Sequence, residues 1–440
     1  MKKTYSLTKR IFISMLLGAL FGIIVQNLKS EFIRDTIILN GFVKVLSSVF
    51  LSSIKMMVVP LVFISLTCGA ASIENIKKLG RVGGKTFFFY VTTTCIAITI
   101  GIILSILIKP GNGLDMSHLL INEPVISQNK SFIDIIIEIV PTNPFEAFVK
   151  GDMLQIIFFS ILFGLSISMV GKKSALVKNF FDSLNEVIMK LVQIIMNFAP
   201  FGVFALMTNT FATIGFNAMI PLIKYMFVIL LSLLIHSFFI YGGLFKAFTK
   251  LSIKPFFKKF IKPASIVFST ASSNSALPVT LEAMDEMGVD KSISSFTIPL
   301  GSTINMDGTA IMQGVAAIFI SQVYNMNLSI TNILTIILTA TLASIGTAGV
   351  PGVGMVMLSM VLQSVGLPIE GIGLILGIDR ILDMCRSTVN TMGDCICTII
   401  ISKSENSFDE NKYYSTSDNL EGLVDLEDLN NLYENADNSI

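Results

Sequence analysis

The chain has 440 residues, 52% hydrophobic and 14% charged, with a formal net charge of +1. Its mean hydropathy is +0.76, which excludes a string of ordinary soluble domains and, with so little net charge, a nucleic-acid binder working through a basic field. Repeated apolar runs of about twenty residues point instead to a polytopic membrane protein, whose interfacial aromatics must be Tyr and Phe because Trp is absent.

The basic N-terminus runs into an apolar stretch with no small-residue cleavage site, so it reads as the flank of a first span, residues 11–28, and not as a signal peptide. Residues 41–72 form a second span and residues 86–108 a third, with Tyr90 and the hydroxyl run Thr92, Thr93, Thr94 inside it. A polar outer loop follows from Lys109. Residues 132–170 are broken by Pro141, Pro144 and Gly151 before a span at 155–170. Residues 175–214 read as a long helix broken near Ala199 and Pro200. Residues 218–245 form the next span, with His236 as an interior histidine satisfied by its neighbours.

Basic clusters follow these spans: Lys77, Lys78, Arg81 and Lys85; Lys172, Lys173 and Lys178; and Lys246 to Lys262. With the N-terminus they fall on one side, which the positive-inside rule makes cytoplasmic. The free-standing cysteines Cys68, Cys95, Cys385, Cys395 and Cys397 have no zinc spacing and read as packing residues.

The second half changes character. Residues 261–288 and 333–366 are apolar but cut in the middle by small residues, at 269–278 and 343–352. Neither half of either segment spans a bilayer comfortably, and paired interrupted segments are the pattern of re-entrant hairpins in an inverted repeat. Between them, residues 296–320 hold Asn305, Met306, Asp307, Gly308 and Thr309. Gly308 is expected to unwind the helix there and free backbone carbonyls for a hard cation.

Within the last apolar segment, residues 371–401, Asp379, Asp383, Arg386, Asn390 and Asp394 share one stripe at about 100° per residue. Such a row within membrane-length apolar sequence must face protein interior, a cavity or bound ions. Helix–helix salt bridges are the plainer reading, but carboxylates outnumber arginine on the stripe, so another positive group is expected there. Residues 403–440 are polar and acidic and read as a disordered cytoplasmic tail, with a short helix conceivable at 420–432.

Four motifs, in order, resemble the dicarboxylate/amino acid:cation symporter family, the glutamate and aspartate transporters. They are Ser272, Ser273, Asn274, Ser275, Ala276, Leu277, Pro278; Asn305 to Thr309; Ala343, Ser344, Ile345, Gly346, Thr347 to Gly352; and Asp383, Met384, Cys385, Arg386 through Asn390 to Gly393 and Asp394. Lys55 to Pro60 and Ala199 to Ala205 extend the resemblance over roughly residues 10–402. It implies an all-α integral membrane protein with eight transmembrane helices, two re-entrant helical hairpins and inverted repeats. It also implies an elevator-type carrier, a homotrimer in the plasma membrane with both termini cytoplasmic. The implied divisions are residues 1–254 (six helices, with 1, 2, 4 and 5 as scaffold and 3 and 6 moving), 255–402 (transport core) and 403–440 (tail).

By the same resemblance, Arg386 would hold a substrate side-chain carboxylate, which a planar guanidinium suits. Asp383 would take the α-amino group, with the Ser387 hydroxyl near it. Asn390, Ser273 and the hairpin backbone would take the α-carboxylate. The implied substrate set also includes Ser272, Thr309, Val350 and Gly354. Sodium would use Asp394 with carbonyls near Asn305 and Asn390. A second ion would use Asp307, Asn305, Thr93, Thr94 and the Tyr90 carbonyl, and a third Met306, Ser344, Ile345 and Thr347. Gly301 and Thr303 complete the cation set. No resident cofactor is implied. Two positions depart from the family: Asn274 interrupts the serine run, and Gln313 stands where animal transporters carry a glutamate, which argues against potassium-coupled return.

The expected function is uptake of L-glutamate or L-aspartate with sodium. A proton-coupled glutamate carrier, a C4-dicarboxylate carrier and a cystine carrier are the alternatives on the same fold, and an anion channel is the alternative of another class. An intramembrane enzyme is disfavoured because the serines at 269–275 have no histidine nearby in sequence.

Overall fold

The computed structural model describes residues 7–71, 80–114, 116, 137, 139–215, 219–345 and 352–415. Thr347 and Val350, the pair Lys77 and Lys78, and the 420–432 segment lie outside them. Among the described residues the chain is helical between turns, and the only β pairing is an isolated bridge between Val289 and Phe408.

Helix α1 is Leu7–Gln26. Phe32–Ala71 is continuous, π-wound over Phe32–Val43 and α-helical as α2, Lys44–Ala71. Helix α3 is Gly80–Ile108, six residues longer at its start than the sequence suggests, so Arg81 and Lys85 sit on a helix and not in a loop. Helix α4, Pro144–Lys150, is capped by the Asn143 side chain, which accepts from the Phe145 amide, and ends at Gly151 with φ 69°. Helices α5 (Met153–Val170), α6 (Ala175–Asn197) and α7 (Ala199–Ile214) follow, with the α6–α7 break at the expected place. Pro200 in the first turn of α7 is where a missing amide hydrogen costs least. Helix α8, Met219–Ile235, passes through a π-wound stretch, His236–Tyr241, into α9, Gly242–Thr249.

Each interrupted segment contains two helices that pack on each other. Helix α10, Ile253–Thr270, ends at Ala271 with φ 52°, and α11, Leu277–Glu286, packs back on it. Helices α12 (Lys291–Ile304) and α13 (Asp307–Val323) are parted at Asn305 and Met306, whose backbone leaves helical geometry. Helices α14 (Ile330–Ser344) and α15 (Val353–Ser364) form the second pair. Helix α16, Ile372–Ser404, is 33 residues long, and the short α17 is Glu410–Tyr414.

Four helices of the described residues are long and apolar enough to cross a membrane: Phe32–Ala71, Arg81–Ile108, Leu154–Asn197 and Met219–Thr249. Ile13–Gln26, Ile330–Ser344 and Val353–Ser364 are shorter apolar helices. Large apolar side chains stay exposed along α1 (Leu16, Leu17, Leu20), α2 (Val45, Val49, Met56) and α8 (Ile220, Ile223, Phe227). In water such patches would be a liability; against lipid tails they are the expected surface.

Packing falls into two groups. Helix α1 lies along α7, and α2 along α5, α6 and α7. Gly18 and Gly22 let the α1 and α7 backbones meet, and the Thr208 hydroxyl donates to the Gly18 carbonyl at 3.2 Å. Helices α3 and α8 pack on α13, and α10, α12 and α13 pack on α16. Nearly every residue of α13 is buried, so this helix is enclosed on all sides.

The polar segment after α16 is packed as far as Ser415. Glu405 pairs with Arg81 and with Lys85 at 2.7 Å. Lys412 pairs with Asp285 at 2.9 Å, and the buried Tyr413 donates to the Ser252 carbonyl at 2.8 Å. The Lys259 ammonium donates to the carbonyls of Glu286 (2.7 Å), Lys412 (2.7 Å) and Tyr413 (3.0 Å). Residues 405–415 therefore fasten the ends of α3, α10 and α11 to α16, where the sequence suggested a loose tail from 403 onward.

Candidate functional site

The stripe on α16 is buried along its length: Asp379, Asp383, Arg386, Ser387, Asn390 and Asp394 all turn inward. Arg386 is 1% exposed. Its Nη1 donates to Asp379 Oδ1 at 2.5 Å and its Nη2 to Asp383 Oδ1 at 2.9 Å, while its Nε has no partner. One planar guanidinium thus holds two carboxylates from its own helix and keeps a donor in reserve. Asp379 had no assigned role from sequence, although a separation of seven residues, two helical turns, is a readable signal.

The charge count from sequence needs a correction. Arg380 Nη1 lies 3.6 Å from Asp383 Oδ2, so a second guanidinium reaches the same carboxylate. Arg380 also donates to the Thr270 carbonyl at 3.3 Å, tying the turn that holds Ser272 and Ser273 to α16. Both serines are buried, and the Ser272 hydroxyl accepts from the Ser275 amide at 3.3 Å. A Cβ placed on Gly354 would lie 3.1 Å from Thr309 and 3.7 Å from Arg386, so α15 meets the other elements here.

The break before α13 is made by Asn305 and Met306, not by Gly308. Gly308 lies inside α13, and a Cβ on it would come within 2.6 Å of the Arg386 carbonyl. Its role is close approach of two backbones and not the unwinding expected from sequence. Asn390 crosses that contact: its Oδ1 accepts from the Gly308 amide (2.7 Å), and its Nδ2 donates to Met306 Sδ (3.2 Å) and Thr309 Oγ1 (3.3 Å).

Below this junction lies a second buried polar group. Asn305 donates to Asp394 Oδ1 (2.9 Å) and to the Asn390 carbonyl (3.1 Å), while its own Oδ1 is buried without a hydrogen-bond partner. Asp307 Oδ1 accepts from Thr94 at 2.5 Å. The Thr93 hydroxyl donates to the Tyr90 carbonyl at 3.1 Å. Tyr90, Thr93, Thr94, Asn305, Asp307 and Asp394 are thus one cluster from α3, the break and α16. Gly301 adjoins it, since a Cβ there would run into Asp394 and the Tyr90 hydroxyl. Thr303 turns to the Leu300 carbonyl (2.9 Å), and Ser344 and Ile345 are buried at the end of α14, where Ser344 donates to the Thr341 carbonyl (2.8 Å). An orphaned amide oxygen, hydroxyls, a carbonyl and carboxylates, all buried, suit a hard cation of sodium's kind.

Sequence reasoning missed two groups here. His236 was expected to be satisfied by neighbours; its Nε2 meets Asp307 Oδ2 at 2.9 Å, but its Nδ1 is buried and unpartnered. The Tyr241 hydroxyl donates to the same oxygen at 2.7 Å. Their spacing of five is not a helical-face spacing, so no periodicity could have paired them.

Outside the membrane-spanning segments, hydrogen bonds from Arg81 first and Lys85 second hold the Glu405 carboxyl below its ordinary range.

Known proteins resemble the chain over almost its whole length. The description "Sodium:dicarboxylate symporter family" matches residues 7–404. A proton/sodium-glutamate symport protein of Geobacillus stearothermophilus is 38% identical over 410 residues, covering 92% of this chain and 95% of that protein. A proton/glutamate-aspartate symporter of Escherichia coli K12 is 37% identical, covering 93% and 95%. A C4-dicarboxylate transport protein of Bacillus subtilis 168 is 35% identical, covering 94% and 96%.

Proposed function

The chain belongs to the sodium:dicarboxylate symporter family, and from the residues at its site we propose that it takes up an acidic amino acid, L-glutamate or L-aspartate, with sodium. It is a membrane-integral symporter and not an enzyme, moving a small solute together with Na+ or H+. Its relatives by name carry glutamate, aspartate or C4-dicarboxylates.

The observation that supports an amino acid over a plain dicarboxylate is the pairing of Arg386 with Asp383 at 2.9 Å. A guanidinium suits a side-chain carboxylate, and Asp383 beside it suits an ammonium, so an acidic amino acid offers a partner to each. A neutral amino acid would leave Arg386 without a substrate anion, and succinate, drawing on Arg386, would leave Asp383 to Arg380 alone at 3.6 Å. On binding, the substrate carboxylate takes donors of Arg386 from Asp379, and the α-carboxylate replaces the weak acceptor Met306 Sδ at Asn390. Ser272, Ser273, Thr309, Val350, Gly354 and Ser387 complete the lining.

Sodium is cargo here. Asp307, Asn305, Thr93, Thr94 and the Tyr90 carbonyl form one site. Asp394 with Gly301, Thr303 and the carbonyls near Asn305 and Asn390 forms another, and Met306, Ser344, Ile345 and Thr347 a third. Cations and substrate neutralise the cluster before it crosses the hydrocarbon, and a half-loaded site is held back by unpaired charge. In this reading the helix pairs α10–α11 and α14–α15 are the re-entrant hairpins. The chain forms a homotrimer in the plasma membrane with cytoplasmic termini, and α3, α8 and α10–α16 move as an elevator against α1, α2 and α5–α7.

The test is uptake of labelled L-aspartate and L-glutamate into proteoliposomes under a sodium gradient and, separately, a proton gradient, with Asp394→Asn and Arg386→Ala alongside. Sodium-driven accumulation lost in both variants supports the assignment. Accumulation under the proton gradient alone overturns the sodium sites, and uptake of succinate but neither amino acid overturns the substrate.

A further inference from the structure

We propose that His236 and Tyr241 are positioning residues of the Asp307 cation site: a two-donor clamp on one carboxylate oxygen that leaves the other oxygen for the coupling ion. This rests on the reading of Asp307 as a cation ligand given above.

The backbone is built for the clamp. On an α-helix, residues five apart point about 140° away from each other. The chain over His236–Tyr241 is π-wound, and such a turn brings i and i+5 onto one side. The two rings accordingly meet edge to face, centroids 4.4 Å apart, and both polar tips reach Asp307 Oδ2, at 2.9 Å and 2.7 Å. A regular helix here could offer only one of them. His236, Tyr241, Thr94 and Asp307 are all fully buried, so no solvent competes for the carboxylate.

The two oxygens of Asp307 then have different roles. A carboxylate accepts at about four positions, two on each oxygen. The clamp fills both positions on Oδ2. Oδ1 receives the Thr94 hydroxyl alone, and a hydroxyl can rotate to present a lone pair. The orphaned Asn305 Oδ1 is a second oxygen free to take a cation. An ionised carboxylate only accepts, so His236 carries a hydrogen on Nε2 and donates it to Asp307 Oδ2, while Nδ1 has no partner.

Tyr241 also links this site to the next. A Cβ on Gly393 would collide with its hydroxyl and with the Asn305 amide, and Asn305 donates to Asp394. Shifting the clamp therefore shifts the hydrogen-bond frame of both carboxylates.

The experiment is sodium titration of uptake in proteoliposomes, using whichever of L-aspartate and L-glutamate the unmodified protein accumulates. The half-saturating sodium concentration and the substrate KM at saturating sodium are measured for H236L, H236Q, Y241F and D307N. Loss of a hydrogen bond to a buried ionised acceptor predicts a rise of about tenfold or more in half-saturating sodium for H236L. Its KM at saturating sodium is expected to change by less than about twofold, because the carboxylate is then already occupied. H236Q, whose amide reaches the same oxygen, is expected to restore sodium affinity to within about threefold. Y241F removes one oxygen atom and decides the matter by the same readout should H236L fail to fold. A merely structural histidine would lower maximal rate or thermal stability without this split or this rescue. Unchanged sodium affinity in H236L and Y241F, with sodium dependence lost in D307N, overturns the clamp and leaves the cation site standing. Full sodium dependence in D307N overturns the cation reading and the clamp with it.

Discussion

Replacing Arg386 by lysine keeps the charge and removes the fork. The guanidinium spans two carboxylates, with Nη1 at 2.5 Å from Asp379 and Nη2 at 2.9 Å from Asp383. A lysine ammonium has one nitrogen on a shorter, flexible side chain and cannot hold both in that plane while also pairing with a substrate carboxylate. Each lost charge-assisted hydrogen bond is worth about 1.5–3 kcal/mol. On the reading that the fork pairs with a substrate carboxylate, losing one of its two bonds to that carboxylate weakens binding by about 1.5–3 kcal/mol, or about 10–150-fold in affinity. The assay is KM for labelled L-aspartate and L-glutamate in proteoliposomes, with thermal stability measured in parallel. Arg386→Ala is the harsher control: buried Asp379 loses the guanidinium and Asp383 keeps only Arg380, which costs about 3–5 kcal/mol of stability. A lysine variant with KM within about threefold of the parent would refute the bidentate role of Arg386.

Other outcomes follow from the same geometry. Gly393→Ala is expected to cost about 1–3 kcal/mol of stability and most uptake, because its methyl meets the Tyr241 hydroxyl. Gly243→Ala, with open space around it, is the control, and thermal unfolding of the two in detergent separates them. Lys259→Met strips the donors from three carbonyls, so amide exchange at residues 409–415 should accelerate while that of α13 does not. Glu405 has a folded pKa below its ordinary 4.5. It therefore adds stability at pH above 4.5 that is lost as pH falls through the lower folded value. Glu405→Gln should flatten the unfolding midpoint between about pH 5 and pH 3, and a midpoint curve that superimposes on the parent's would count against the ion pairs.

Much of the site was legible because helical spacing is. Asp379, Asp383, Arg386, Asn390 and Asp394 could be placed on one face from sequence alone, and the structure buries that face. The interrupted segments were legible because small residues and prolines in apolar sequence mark turns. Three things were not. Gly308 looked like a point of unwinding, but whether a glycine bends its own chain or admits a neighbour depends on which distant segment packs against it; here the neighbour is the Arg386 backbone. His236 and Tyr241 were invisible as a pair because only a π-wound turn aligns them. Residues 405–415 read as solvated tail because charge usually signals exposure, yet their charges meet Arg81, Lys85 and Asp285 from distant sequence.

The charges in the enclosed helices lead to a last expectation. Asp307, Asp379, Asp383 and Asp394 are buried with Arg380 and Arg386 beside them, four acids against two guanidiniums, an excess of two negative charges when all are ionised. An acidic amino acid carries one more, so about three positive charges must enter with it before the loaded cluster is neutral enough to cross hydrocarbon cheaply. One complete cycle then moves about two net positive charges inward, because the empty carrier returns with its negative excess. Uptake into proteoliposomes should quicken when the interior is made negative with a potassium diffusion potential. The voltage that stops net flux, measured at several sodium gradients, gives the charge number directly. Uptake indifferent to voltage would mean that some of these carboxylates travel protonated, and that the hydrogen bonds around Asp307 and Asp394 hold acids and not anions.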